Sequence, residues 1–290
     1  MAVRETTAPS RLALEKKPRR RRGPGKGPFL GIYSGVVIAY LFLPIVVMIV
    51  FGFNDFGGKF NFVWRSFTFE HYQNLFELPD LTNAIKTSLI IATLASLVST
   101  ILGTCIALAL TRYNFKARSG LNLFIFLPMA TPEIILGVSL LGMFVTINFA
   151  RGFLTILLAH IMFCVSFVVV TVKARTAGFD SNLEEAAGDL GANPWTAFWT
   201  VTFPLIFPGI LAAAMLAFVL SLDDYVITEF VAGGELTFPR YVFGATRFGI
   251  PGQVNVFGTI IFMIGVVYVI VSLLRARRSD KTPPALPTRA

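Results

Sequence analysis

Six apolar runs, at residues 29–53, 83–110, 121–147, 153–172, 205 to about 231 and 253–274, each reach the roughly 20 residues an α-helix needs to cross a hydrocarbon layer about 30 Å thick. A backbone in lipid has no water to bond to, so runs of this length satisfy their own N–H and C=O groups as helices. The expected fold class is therefore an all-α membrane protein with six transmembrane helices. With 55% hydrophobic and only 14% charged residues, the chain has too little polar surface for a water-soluble enzyme core.

The charges lie mostly at the ends of these runs. Of 25 Lys and Arg residues, only Lys59, Arg65, Lys86, Arg151, Arg240 and Arg247 fall in alternate loops or at the span ends beside them; the rest gather in the tails and the loops that share their side. Basic residues are retained on the cytoplasmic face, so both termini are expected inside. The same asymmetry accounts for the net charge of +9 without a nucleic-acid partner. Residues 1–28, with Arg19 to Arg22 among Pro and Gly, cannot bury a core and are expected to be a disordered cytoplasmic tail; 29–274 form the membrane domain and 275–290 a second cytoplasmic tail. The external segment 54–82 offers Trp64, Phe67, Phe69 and Tyr72 as interface anchors and has room for a short interfacial helix.

One cytoplasmic loop, about 176–204, is unlike the others. Ser181 with Glu184 three residues on is a capping-box pattern, Ala186 and Ala187 favour helix, Gly191 suits a left-handed stop, and Asn193-Pro194 suits a new helix start. The expectation is a bent helical elbow. The bland alternative is an amphipathic helix resting on the membrane. The pattern Glu185-Ala186-Ala187, Gly191, then Val201-Thr202-Phe203-Pro204 resembles the EAA loop of permease subunits of bacterial ATP-binding-cassette importers, with Val201 and Phe203 where that family more often has Ile and Leu.

The resemblance implies a type I importer permease architecture in a bacterial inner membrane. It also implies partners: a second permease subunit of related fold, an ATPase dimer gripped by the elbows, and an external substrate-binding protein. Glu184, Glu185, Ala186, Ala187, Gly191 and Pro204 would then couple to the ATPase. ATP and Mg would be bound by that partner, with no cofactor on this chain. In agreement, Gly25-Lys26-Gly27 and Gly58-Lys59-Phe60 are not phosphate loops. Cys105, Cys164, His71 and His160 make no metal-ligand cluster, and each cysteine reads as a small buried hydrophobe.

Further likeness to spermidine/putrescine permease subunits lies in His160-Ile161, Phe163-Cys164, residues 167–172, the Leu127-Pro128-Met129-Ala130-Thr131-Pro132-Glu133 segment and Ser221-Leu222-Asp223-Asp224-Tyr225-Val226; the Arg-rich N-terminus is outside that pattern. Acids in a span cost about 2.5–3.5 kcal/mol at the bilayer centre on insertion scales, so they normally face a polar cavity. Glu133, Asp223, Asp224, Tyr225 and Glu229 are the candidate substrate path, Ser221, Asp224, Tyr225 and Thr228 sharing one face if the fifth helix continues to about residue 231. The alternative is that Asp223 and Asp224 cap that helix while Glu229 is solvated. His160 is expected to be a hydrogen-bonded core residue and is left out of the path. Other cargoes (ferric iron, an anion, a sugar) and an ion-coupled carrier remain alternatives. A carrier would not need the elbow, and Ser166 with His160 makes no hydrolase motif.

Overall fold

The computed structural model describes residues 28–178 and 182–279. Residues 1–27 and 280–290 of the expected tails and Ser181, with its expected capping box, lie outside them, while residues 275–279 of the expected second tail continue the last helix. Twelve helices follow in order among the described residues: α1 (Pro28–Phe51), α2 (Glu70–Gln73), α3 (Pro79–Arg112), α4 (Arg118–Ala130), α5 (Glu133–Thr146), α6 (Phe153–Thr176), α7 (Asn182–Asp189), α8 (Pro194–Ala197), α9 (Phe203–Asp223), α10 (Val226–Val231), α11 (Phe238–Phe248) and α12 (Gly252–Ser279). Among the described residues, those up to Val47 form one compact unit and those from Met48 a second.

Within the second unit, α3, α6 and α9 pack into the core. Lipid tails are as apolar as leucine, so helices in a membrane gain from close van der Waals approach more than from burial, and small residues permit it. On α3, Ala95, Ser99, Gly103 and Ala107 recur every fourth residue and are all buried; on α9, Ala213, Ala217 and Ser221 do the same. A Cβ placed on Gly103 would lie 2.6 Å from Val168 Cγ1 on α6. The Ser96 hydroxyl donates to the Ala214 carbonyl across the α3–α9 contact at 2.6 Å, and Cys164 Sγ reaches the Ala217 carbonyl at 3.5 Å. Cys164 is thus buried as expected, whereas Cys105 is exposed on this chain.

Two expected spans are broken. Residues 121–147 are not one helix but α4 and α5, bent by 105°. Proline 132 clashes with a helical predecessor, so Thr131 takes an extended conformation (φ −84°, ψ 131°) and the helix stops. The fifth run starts earlier and ends earlier than expected. It opens at Pro194, widens into a π-turn at Phe198–Thr202 in which Phe203 N–H bonds back to the Phe198 carbonyl, and stops at Asp223. The widened turn precedes Pro204, whose ring cannot follow an ordinary α-turn and whose nitrogen donates nothing.

By length and hydropathy, Phe29–Phe51, Pro79–Arg112, Phe153–Thr176 and Pro194–Asp223 can each cross a membrane, the bent α4–α5 pair makes a fifth, and the apolar part of α12 at Gly252–Tyr268 is shorter. The segment after α1 is held by Asn54, fully buried: its amide donates to Asn61 Oδ1 (2.6 Å) and the Val63 carbonyl (2.8 Å), and its Oδ1 accepts from Arg65 N–H (2.9 Å). The expected short helix is there as α2, and the segment between α10 and α12 holds α11.

Candidate functional site

The elbow is built as its residues dictate. Gly191 sits at φ +88°, the left-handed position where a side chain is strained, and Ala192 N–H bonds to the Ala187 carbonyl at 3.0 Å, closing the six-residue turn that ends α7. Two residues on, Asn193 Oδ1 accepts from Thr196 N–H at 2.8 Å with Pro194 in the first turn, which starts α8 in a new direction. The outer face carries exposed Leu190 and Trp195, 90% and 71% accessible, with Glu185 and Ala186 also exposed. Glu184 is turned the other way. Its carboxylate accepts from Arg112 at the end of α3 and from the Thr202 hydroxyl in the π-turn. Arg175 at the end of α6 ties down the start of α9, its Nε and Nη2 donating to the Leu205 carbonyl at 3.3 and 3.2 Å.

The acids of the membrane domain separate into different roles. Asp224 is buried at 9% accessibility in an extended conformation (φ −64°, ψ 116°), where its carboxylate starts α10 by accepting from Thr228 N–H at 2.9 Å and the Thr228 hydroxyl at 2.8 Å. His160, 3% accessible, joins it from α6: Nε2 lies 3.2 Å from Asp224 Oδ2 and 2.9 Å from Thr228 Oγ1, and Nδ1 lies 2.7 Å from Ser221 Oγ. This corrects the single-face expectation. With the helix stopped at Asp223, the chain swings so that Ser221, Asp224 and Thr228 still converge, but on His160, while Tyr225 leaves them and lies over the Phe243 ring of α11 at 4.5 Å between centroids.

Asp223, next to the buried Asp224, is exposed and with Tyr225 and Phe243 lines a groove of about 640 Å³ between the end of α9, α11 and α12. Glu133 is exposed in the first turn of α5. Glu229 is paired with Arg240 Nε at 2.7 Å. Sequence reasoning missed Arg112 and Thr202 as partners of the elbow, since a basic residue at a span end reads only as a topology marker. The signal for the buried cluster was present: a histidine within an apolar run must find polar partners.

Comparison with known proteins adds to this geometry. Residues 99–278 match the family described as binding-protein-dependent transport system inner membrane component. The chain is 35% identical to the spermidine/putrescine transport system permease protein PotC of Haemophilus influenzae, over 84% of this chain and 95% of that one. It is 38% identical to the putrescine transport system permease protein PotI of Escherichia coli K12, over 82% and 87%. Among solved structures, one chain of a bacterial ABC transporter involved in import of the acidic polysaccharide alginate superposes with a TM-score of 0.60, covering 87% of this chain and 95% of that chain at 16% identity.

Proposed function

The chain belongs to the inner-membrane components of binding-protein-dependent transport systems: it is a multi-pass permease subunit of an ABC importer, and on that premise we propose that its cargo is a polyamine. The observation that carries this reading is the Asp223 carboxylate beside the Tyr225–Phe243 aromatic pair at one groove, with Glu133 a further exposed acid at the start of α5. A linear polyammonium ion sheds water on entering a narrow cavity. Carboxylates replace part of that hydration, and an aromatic face adds about 2 kcal/mol when desolvated. The acids are dispersed, which lets the ion step onward instead of being caged. Asp224 supports this path from behind as a cap, and Glu229 with Arg240 flanks its outer end.

A partner permease, an ATPase and a binding protein complete such an importer. In the proposed assembly the second permease has a related fold, ATP and Mg are bound and hydrolysed by a separate ATPase dimer, and this chain binds no cofactor. The exposed face of the elbow, with Glu185, Ala186 and Gly191, is its docking surface for one ATPase, half-buried Ala187 lies behind that face, and Pro204 shapes the turn behind it.

Reconstitution of the chain with these partners in proteoliposomes tests the cargo: ATP-dependent uptake of radiolabelled spermidine or putrescine is expected, and uptake of ferric iron, an anion or a sugar in its place overturns the reading. Both termini are proposed to be cytoplasmic. Ser119→Cys, exposed in the first turn of α4, is then expected to react with a membrane-impermeant maleimide in inverted vesicles and not in right-side-out ones; the reverse pattern refutes the orientation.

A further inference from the structure

Adjacent residues on a helix point about 100° apart, so Glu184 and Glu185 cannot serve the same surface. Glu185 faces outward. Glu184, whose side chain is 29% accessible, faces a cavity of about 430 Å³ lined by Thr111, Arg112, Tyr113, Thr176, Thr202 and Ile206. Three elements meet on its carboxylate. Arg112 brings the last turn of α3, Thr202 brings the π-turn that opens the fifth span, and Glu184 brings the elbow. The triangle is closed by Arg112 Nη2 donating to Thr202 Oγ1 at 3.1 Å, and the guanidinium also lies 5.6 Å from the centroid of the Phe198 ring in the same π-turn. Thr202 is 2% accessible, so its hydroxyl has no solvent to fall back on.

We propose that Glu184 is a relay internal to this chain: it clamps the elbow to the ends of α3 and of the fifth span, so that a displacement of the elbow moves both core helices together. The inference deepens the importer reading and rests on it, but it removes Glu184 from the ATPase-facing surface to which the motif resemblance assigned it. The physical basis is that a π-turn is a compliant place in a helix, held by fewer well-aligned backbone bonds than an α-turn. A short helix tethered to such a place by one flexible hydrogen bond would bend it without moving the span. A charged carboxylate shared by a guanidinium and a buried hydroxyl makes charge-assisted bonds to both, which stiffens the junction. Glu184 thereby acts as a positioning residue for the elbow.

Charge reversal separates a relay from a docking contact. In the assembled importer, Glu184→Arg and Arg112→Glu are each expected to lower spermidine carried per ATP hydrolysed by roughly fivefold or more, the scale of a typical coupling free energy, while the ATPase still co-purifies. The double variant is expected to restore the ratio, because the pair is re-formed with its signs exchanged. Thr202→Val, which keeps the side-chain shape, should show a smaller loss in the same direction. Loss of ATPase co-purification in Glu184→Arg that Arg112→Glu does not restore would make Glu184 a docking residue and overturn the relay, as would single variants with a wild-type ratio. Were the wild-type complex to carry no polyamine, the cargo reading fails on its own. The same loss and rescue are then read in ATP hydrolysis by the assembled complex, and their absence there sinks the relay.

Discussion

Gly103→Leu is expected to abolish the packed core of the membrane domain, giving little folded protein after detergent extraction, while Gly120→Leu gives wild-type yield and thermal stability. At Gly103 a single added carbon would sit 2.6 and 2.7 Å from Val168 Cγ1 and Cβ and 3.3 Å from the Val165 carbonyl; at Gly120 it would meet nothing within 4 Å. Val168 is fully buried and β-branched, so it has no alternative rotamer to retreat into, and the backbone of α6 stands directly behind it. Overpacking a tight core costs about 1–3 kcal/mol when neighbours can shift. Here they cannot without separating α3 from α6. Because association in lipid depends on that close approach, the separation also forfeits the van der Waals contacts along the Ala95, Ser99, Ala107 ladder. Equal melting temperatures for the two variants would show that α3 and α6 do not meet at Gly103.

The second large effect separates two adjacent acids. Asp224→Ala removes the acceptor for the Thr228 N–H and hydroxyl and for the His160 ring, all buried. Leaving buried polar groups unpaired costs about 1–3 kcal/mol each, so a loss of several kcal/mol in stability, seen as a lower melting temperature and reduced yield, is expected. Asp223→Asn removes an exposed carboxylate beside the groove and is expected to leave melting unchanged while lowering polyamine uptake severalfold. If Asp223→Asn melts early and Asp224→Ala does not, the assignment of cap and path is inverted. If neither changes uptake in well-expressed protein, the groove is not the path.

The distinction between Asp223 and Asp224 shows where local sequence stops being informative. Both acids have the same neighbours and the same hydropathy window, and helical spacing alone places Asp224 with Ser221, Tyr225 and Thr228 on one face. The helix ends between them because the Asp224 carboxylate, bonded to Thr228 and met by His160 from α6, holds the extended conformation in which it caps α10. That histidine is 64 residues away in the chain. No local pattern could say which acid it would meet.

What the sequence by itself determined are the properties set by a residue and its near neighbours. Runs of apolar residues must be helices in lipid, basic flanks mark span ends, Gly191 accepts a left-handed turn that others resist, and Asn193-Pro194 begins a helix. These make the elbow and most of the spans legible from the sequence alone. The Thr131-Pro132 pair was legible too, as a stop signal, but not the 105° between α4 and α5, because the direction after a break is set by what the second segment packs against. On α5 that is Gly137, where the Phe230 ring of α10 fills the place of a Cβ at 2.5 Å. Likewise Glu184 and Glu185 are indistinguishable as letters. Only the tertiary structure turned one toward Arg112 and Thr202 and left the other exposed, since a side chain's partner is chosen by the three-dimensional approach of distant helices, and in a membrane that approach is decided by where small residues let backbones come close.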